Sequence, residues 1–155
     1  YYLGNFWYAH RRYEEATVCW EKSVEINNQF PTALRNLSLA YYNKKGRKEE
    51  ACRLLEKAFE LDQTDSRIFM ELDQLYKKMG RAHAERLTFL EAHLELVAQR
   101  DDLCIERITL YNQLGNYEKA RELKPDQKDL WLNGLYRVYY NLQMGPEFEE
   151  IEKLM

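Results

Sequence analysis

A spacing of 34 or 35 residues recurs along this chain and constrains its fold more than any other feature. Three stretches line up: Tyr41-Tyr42-Asn43-Lys44-Lys45-Gly46-Arg47, Tyr76-Lys77-Lys78-Met79-Gly80-Arg81 and Tyr111-Asn112-Gln113-Leu114-Gly115-Asn116-Tyr117. Their glycines stand 34 and 35 residues apart, and Ala16, Ala51, Glu85 and Ala120 repeat at steps of 35, 34 and 35. A period of this length means supersecondary units that bury their apolar faces only against their neighbours.

Each unit reads as two helices. Leu34, Leu37, Ala40 and Tyr41 recur at the three- and four-residue intervals of one helix face, and Ala51, Leu54, Leu55, Ala58 and Phe59 do the same after the glycine. No sustained period-two alternation suggests a strand. Gly46, Gly80, Gly115 and Gly145 are expected to end first helices, where a left-handed residue closes the last turn. Gly4 and Gly134 fall inside helices, where the missing side chain admits a neighbour. Pro31 and Pro146 open helices, and Pro125 falls in a connection. Trp7, Tyr41, Tyr76 and Tyr111 take equivalent places on first helices, opposite small residues on second helices. Each ring is expected to contribute about 1.5–3 kcal/mol by burial alone.

The bulk numbers narrow the function. Of 155 residues 45% are hydrophobic, enough for one continuous core. Lysine and arginine total 23 against 26 acidic residues, a balance that argues against a nucleic-acid partner. No apolar run reaches the roughly 20 residues that span a bilayer, so no membrane partner is expected. Cys19, Cys52 and Cys104 form neither close pairs nor a zinc motif, which points to a reducing, cytoplasmic setting. The chain opens Tyr1-Tyr2-Leu3-Gly4 without a methionine and reads as a piece of something longer.

Leu3-Gly4, Tyr13-Glu14-Glu15-Ala16, Trp20 and Ser23 resemble the tetratricopeptide repeat (TPR) family. So do Asn36-Leu37-Ser38-Leu39-Ala40-Tyr41-Tyr42, Glu50-Ala51, Ala58 and Leu61-Asp62, and the likeness covers roughly residues 1–123. It implies an all-α, right-handed α-solenoid of helix–turn–helix repeats, about four to five of them, that binds polypeptides and is not an enzyme. The repeats read as about 1–30, 31–65, 66–100, 101–124 and 127–155, the first and fourth incomplete. The sequence departs from the family at Glu85, where alanine is usual, and at Arg81-Ala82-His83-Ala84. Tyr1 to Tyr117 is also similar to the TPR segment of large bacterial proteins that carry an N-terminal domain of unknown function, number 5107 in its series. That domain resembles the β-sandwich of sugar mutarotases. The alternative function is thus a non-catalytic accessory domain of a carbohydrate-related protein.

Only 11 residues separate Ala120 from Trp131, whereas Ala51 to Phe69 spans 18. Residues are therefore predicted to be absent between Leu123 and Asp126. Beyond them 129–143 and 146–154 read as a last helical pair, whose Tyr136, Tyr139 and Tyr140 offer a surface for self-association.

First helices line the groove of such arrays, so the resemblance implies which residues meet a ligand. They are Asn5, Tyr8, Arg35, Asn36 and Tyr42, then Arg67, Gln74, Lys77, Lys78 and Asn112, with Leu39, Asn43, Met70, Ile105 and Thr109 beside them. Basic residues next to aromatics suit an acidic or C-terminal peptide; the alternative is a solvated helix face. Chaperone-binding members clamp a terminal carboxylate with two asparagines and three basic residues. Asn5 and Asn36 match the asparagines, but the basic places hold Tyr1, Ser66 and Met70. Lysine or arginine supplies most of that attraction, so the asparagines are expected to bind neighbouring groups instead. No catalytic residue, metal site or cofactor is expected. His10, His83 and His93 form no metal-spaced pair, no phosphate loop exists, and the pairs Glu14-Glu15 and Glu49-Glu50 sit where helix dipoles favour them.

Overall fold

The computed structural model describes residues 1–123, apart from the side chain of Lys45, and places them in helices joined by short turns, with no strand among them. Two compact units divide the chain, Tyr1–Met79 and Gly80 onward. The first holds α1 (Tyr2–Ala9), α2 (Tyr13–Ile26), α3 (Pro31–Ala40), a π turn (Tyr41–Lys45), α4 (Lys48–Leu61) and α5 (Ser66–Lys78). The second holds α6 (His83–Glu91), α7 (Leu94–Val97), α8 (Asp101–Gln113) and α9 (Tyr117–Glu122). The helical-repeat class read from the sequence is the class observed.

Local chemistry sets the helix ends. Pro31 opens α3, and the Asp65 carboxylate accepts the amides of Arg67 and Ile68 at the start of α5 (2.9 and 3.1 Å). The glycines at 46, 80 and 115 have φ of 64°, 76° and 80°, while the first hairpin turns on Arg11 at φ 58° without a glycine. At two of these turns an N–H closes back over five residues, Arg12 to Trp7 and Asn116 to Tyr111, both at 2.9 Å. After the π turn the same closure runs over six residues, Arg47 to Tyr41 at 3.0 Å. One inserted residue is thus absorbed by a widened turn and leaves the helices on either side in register.

A second one-residue insertion corrects the sequence reading at Glu85. Ala16, Ala51 and Ala120 are fully buried, and each donates its N–H to the residue that caps its helix: Arg12, Arg47 and Asn116. On α6 the residue with that bond, to Ala82, is Arg86; Glu85 is exposed. Arg86 is 1% exposed, so the site that elsewhere takes alanine holds a buried guanidinium.

One core cluster of unit 1 joins Ala16, Trp20, Leu37, Ala40, Tyr41 and Ala51, and Leu34, Leu55, Ile68, Phe69 and Leu72 are buried as well. Gly4 lets α1 approach α2, for a β-carbon there would overlap the Trp20 indole. In unit 2 Leu90, Leu96, Val97, Leu103, Ile108 and Leu110 are buried. The junction at 124–126, the helices expected at 129–143 and 146–154, and Gly134, Gly145 and Tyr136, Tyr139 and Tyr140 lie outside the described residues.

A tyrosine on each of three first helices donates to a glutamate 20 residues earlier: Tyr41 to Glu21, Tyr76 to Glu56 and Tyr111 to Glu91. Burial opposes ionisation of Glu91, but bonds from Tyr111 and from Arg107 (3.1 and 3.0 Å) outweigh it and hold its carboxyl below the usual range. A depressed carboxylate stabilises the fold above its unfolded value, and that contribution is lost as pH falls through the folded one. Glu91→Gln is therefore expected to destabilise unit 2 at neutral pH and to match the wild type in acid. Urea melts at two pH values, followed by amide exchange in α8, check this; a deficit independent of pH would refute it.

Candidate functional site

A chain of polar side chains crosses the first helices of unit 1. The Trp20 indole N–H donates to Asn5 Oδ1 (3.1 Å), and the Asn36 amide donates to the same oxygen (3.0 Å). Arg35 Nη1 donates to Asn36 Oδ1 (3.2 Å). The same guanidinium grips Glu71 in bidentate fashion, Nε and Nη2 each at 2.6 Å. Arg67 joins Glu71 from the adjacent turn (3.4 Å). The bond to Glu71 raises the pKa of Arg35 against the effect of burial, so the guanidinium keeps its charge. This network fixes the spacing of α1, α3 and α5.

Beside it lies a cavity of about 130 Å³, lined by Ser38, Leu39, Tyr42, Asn43, Leu55, Glu71, Gln74, Leu75 and Lys78. Leu39, Leu55 and Leu75 give it an apolar lining. Tyr42 also lines it and has two ammonium groups over its ring, Lys78 at 5.3 Å and Lys48 at 5.9 Å. Within its lining the Ser38 hydroxyl donates to the Ala51 carbonyl oxygen (2.6 Å).

The comparisons with known proteins fit this architecture. Residues 32–61 match the tetratricopeptide repeat. That segment spans α3, the π turn and α4, the hairpin that supplies half of the cavity. Several solved structures are also similar to the chain. YrrB, described as a TPR protein with an unusual peptide-binding site, is 19% identical, with a TM-score of 0.67 over 96% of this chain and 78% of that one. MamA from Desulfovibrio magneticus is 16% identical, with a TM-score of 0.68 over 97% and 88%. The pilF protein of Pseudomonas aeruginosa is 20% identical, with a TM-score of 0.67 over 98% and 73%. At these identities the likeness is one of fold.

Within the helical hairpins of unit 1 the expected groove residues fall into distinct groups. Tyr42, Gln74 and Lys78 share the cavity. Asn5, Arg35 and Asn36 are held by one another, by Trp20 and by Glu71, so the asparagines bind neighbouring side chains, and Arg35, expected as an anion receptor, already carries a carboxylate. Arg67 and Lys77 are exposed on α5, and Tyr8 packs on Tyr13 and Trp20 with ring centroids at 5.2 and 5.5 Å. Asn112 departs from expectation. It is buried inside unit 2 at 2% exposure, its amide has no hydrogen-bond partner, and no ligand reaches it without the unit opening. Glu71 and Leu75 were missed by the sequence reading. Glu71 stands 36 residues after Arg35, one repeat plus one residue, and that charge pairing was the available signal.

Among the described residues no three His, Cys, Asp or Glu side chains are grouped to hold a metal, and all three cysteines are free. No described helix is long and apolar enough to cross a membrane.

Proposed function

We propose that this chain is a protein-interaction scaffold that holds a short extended peptide along the first helices of unit 1. An apolar side chain of the peptide enters the Leu39–Tyr42–Leu75 cavity, and an acidic neighbour lies between Lys78 and Lys48. The observation that carries this reading is the Tyr42 ring in the cavity lining with both ammonium groups over it. The peptide-binding site named for YrrB, a protein of the same fold, supports it. The repeats at 1–30, 31–65, 66–100, 101–124 and 127–155 are, in this proposal, the building units of the scaffold, and its role is to bind, without catalysis.

The test is an array of eight-residue peptides that vary in charge and in one apolar position, probed with the wild-type chain, Lys78→Glu and Tyr42→Ala. Acidic-apolar peptides are expected to bind best, to weaken with salt, and to lose about tenfold in affinity with either variant. Binding that ignores both substitutions would sink the proposed site, and an array without any charge or apolar preference would sink the function.

A further inference from the structure

We propose that the acidic residue received beside Tyr42 is a phosphorylated one, a phosphoserine or phosphothreonine, so that binding follows the modification state of the partner. The proposal rests on the peptide-binding reading above and names the ligand of the same site. It starts from an imbalance of charge. Lys48 opens α4 and Lys78 closes α5, and each brings an ammonium over the one Tyr42 ring, at 5.9 and 5.3 Å.

The guanidinium groups around them are already neutralised. Arg12 pairs with Glu15, Arg47 with Glu50, and both Arg35 and Arg67 with Glu71. Lys48 and Lys78 have no carboxylate partner among the described residues. Among those residues Glu71 is the only carboxylate in the cavity lining, and Arg35 holds both of its oxygens. Two like charges therefore meet on one ring with nothing of opposite sign between them, beside the apolar wall of Leu39, Leu55 and Leu75. Their repulsion is relieved when an anion enters. Asn43 and Gln74 line the same cavity, and their carboxamides make no hydrogen bond to the described residues.

The amount of charge decides which anion fits. A carboxylate, from a side chain or a chain end, cancels one of the two cations. A phosphomonoester carries about −1.5 to −2 at neutral pH and offers three acceptor oxygens. That matches two ammonium groups and the free amide N–H groups of Asn43 and Gln74. The type of cation points the same way. Arginine's planar fork suits a carboxylate, and Arg35 uses it so on Glu71; lysine meets a phosphate as a point charge. The apolar wall supplies the context, an aliphatic residue next to the phosphorylated one.

Three fluorescent eight-residue peptides, identical except for serine, aspartate or phosphoserine beside a leucine, test this by anisotropy against the whole chain. The phosphopeptide is expected to bind about tenfold more tightly than the aspartate form, and that form more tightly than serine. Lys48→Gln/Lys78→Gln should bring all three within about threefold of one another. Lys44→Gln should leave the ranking intact, since that ammonium lies over Tyr13 instead, at 3.9 Å. All three lysines are exposed, and circular dichroism confirms that the variants fold. Equal binding of the aspartate and phosphoserine forms would overturn the proposal and leave the acidic-peptide reading standing. No binding of any peptide would overturn both. A phosphate preference that survives Lys48→Gln/Lys78→Gln, or that Lys44→Gln removes equally, would also overturn it, because the charge would then be read elsewhere or diffusely. So would displacement by inorganic phosphate at the phosphopeptide's own concentration, since the ligand would then be free phosphate.

Discussion

Replacing Arg86 with alanine is expected to lower the stability of unit 2 by about 3–5 kcal/mol, because it takes a charged donor away from a buried carboxylate. Arg86 Nη2 lies 3.0 Å from Glu106 Oε2, and the two side chains are 2% and 4% exposed. Water cannot replace the lost guanidinium at that depth, so Glu106 must either stay charged at a large desolvation cost or take up a proton. The second route gives the variant a signature: its deficit relative to the wild type shrinks as pH falls. The pair is weaker evidence for net stability than its burial suggests, since an apolar pair of similar volume can do as well. Arg86→Met/Glu106→Leu is accordingly expected to recover most of the loss. Urea unfolding followed by amide exchange in α6 and α8 measures all three proteins. A loss under about 1 kcal/mol for Arg86→Ala would mean that the site relaxes and admits water, as surface pairs do.

The same residue shows where sequence reasoning stopped. The period and the helix faces were legible because both follow from apolar spacing, and spacing survives a single sequence. Counting forward from Gly80 puts Glu85 in the alanine position, and counting back from Glu91 puts Arg86 there; only the bond to Ala82 decides between them. The extra residue of the π turn was hidden in the same way, as a repeat of 35 that could have been a repeat of 34. The candidate groove was half legible. Which residues sit on first helices follows from register, so Tyr42, Gln74 and Lys78 could be placed. Which cations stay available depends on carboxylates elsewhere in the chain, and Glu71 takes Arg35 out of that set. Asn112 has the register of Tyr42 and Lys77 but is buried, because burial in the second unit follows from neighbours that register does not name.

The contact between α1 and α2 at Gly4 yields the other large effect. Trp20→Ala is expected to cost about 3–5 kcal/mol, for it empties a side chain that is 4% exposed in the centre of the cluster. It also removes the indole donor to Asn5, one end of the polar chain that reaches Glu71. Gly4 faces that indole, and a β-carbon built at Gly4 meets Trp20 first. Gly4→Ala is therefore expected to destabilise by about 1–3 kcal/mol, the usual range for overpacking, although alanine favours a helix over glycine by about 1 kcal/mol. Once the indole is gone the clash is gone, so in a Trp20→Ala background the same alanine should be neutral or stabilising. Residues in contact couple, and the double-mutant cycle reads that coupling directly. A double variant less destabilised than the sum of the two single losses by about 2 kcal/mol or more identifies the glycine as the feature that sets the distance between α1 and α2. Additive effects would mean that the helices part to admit the methyl group, and that Gly4 is needed for some other contact.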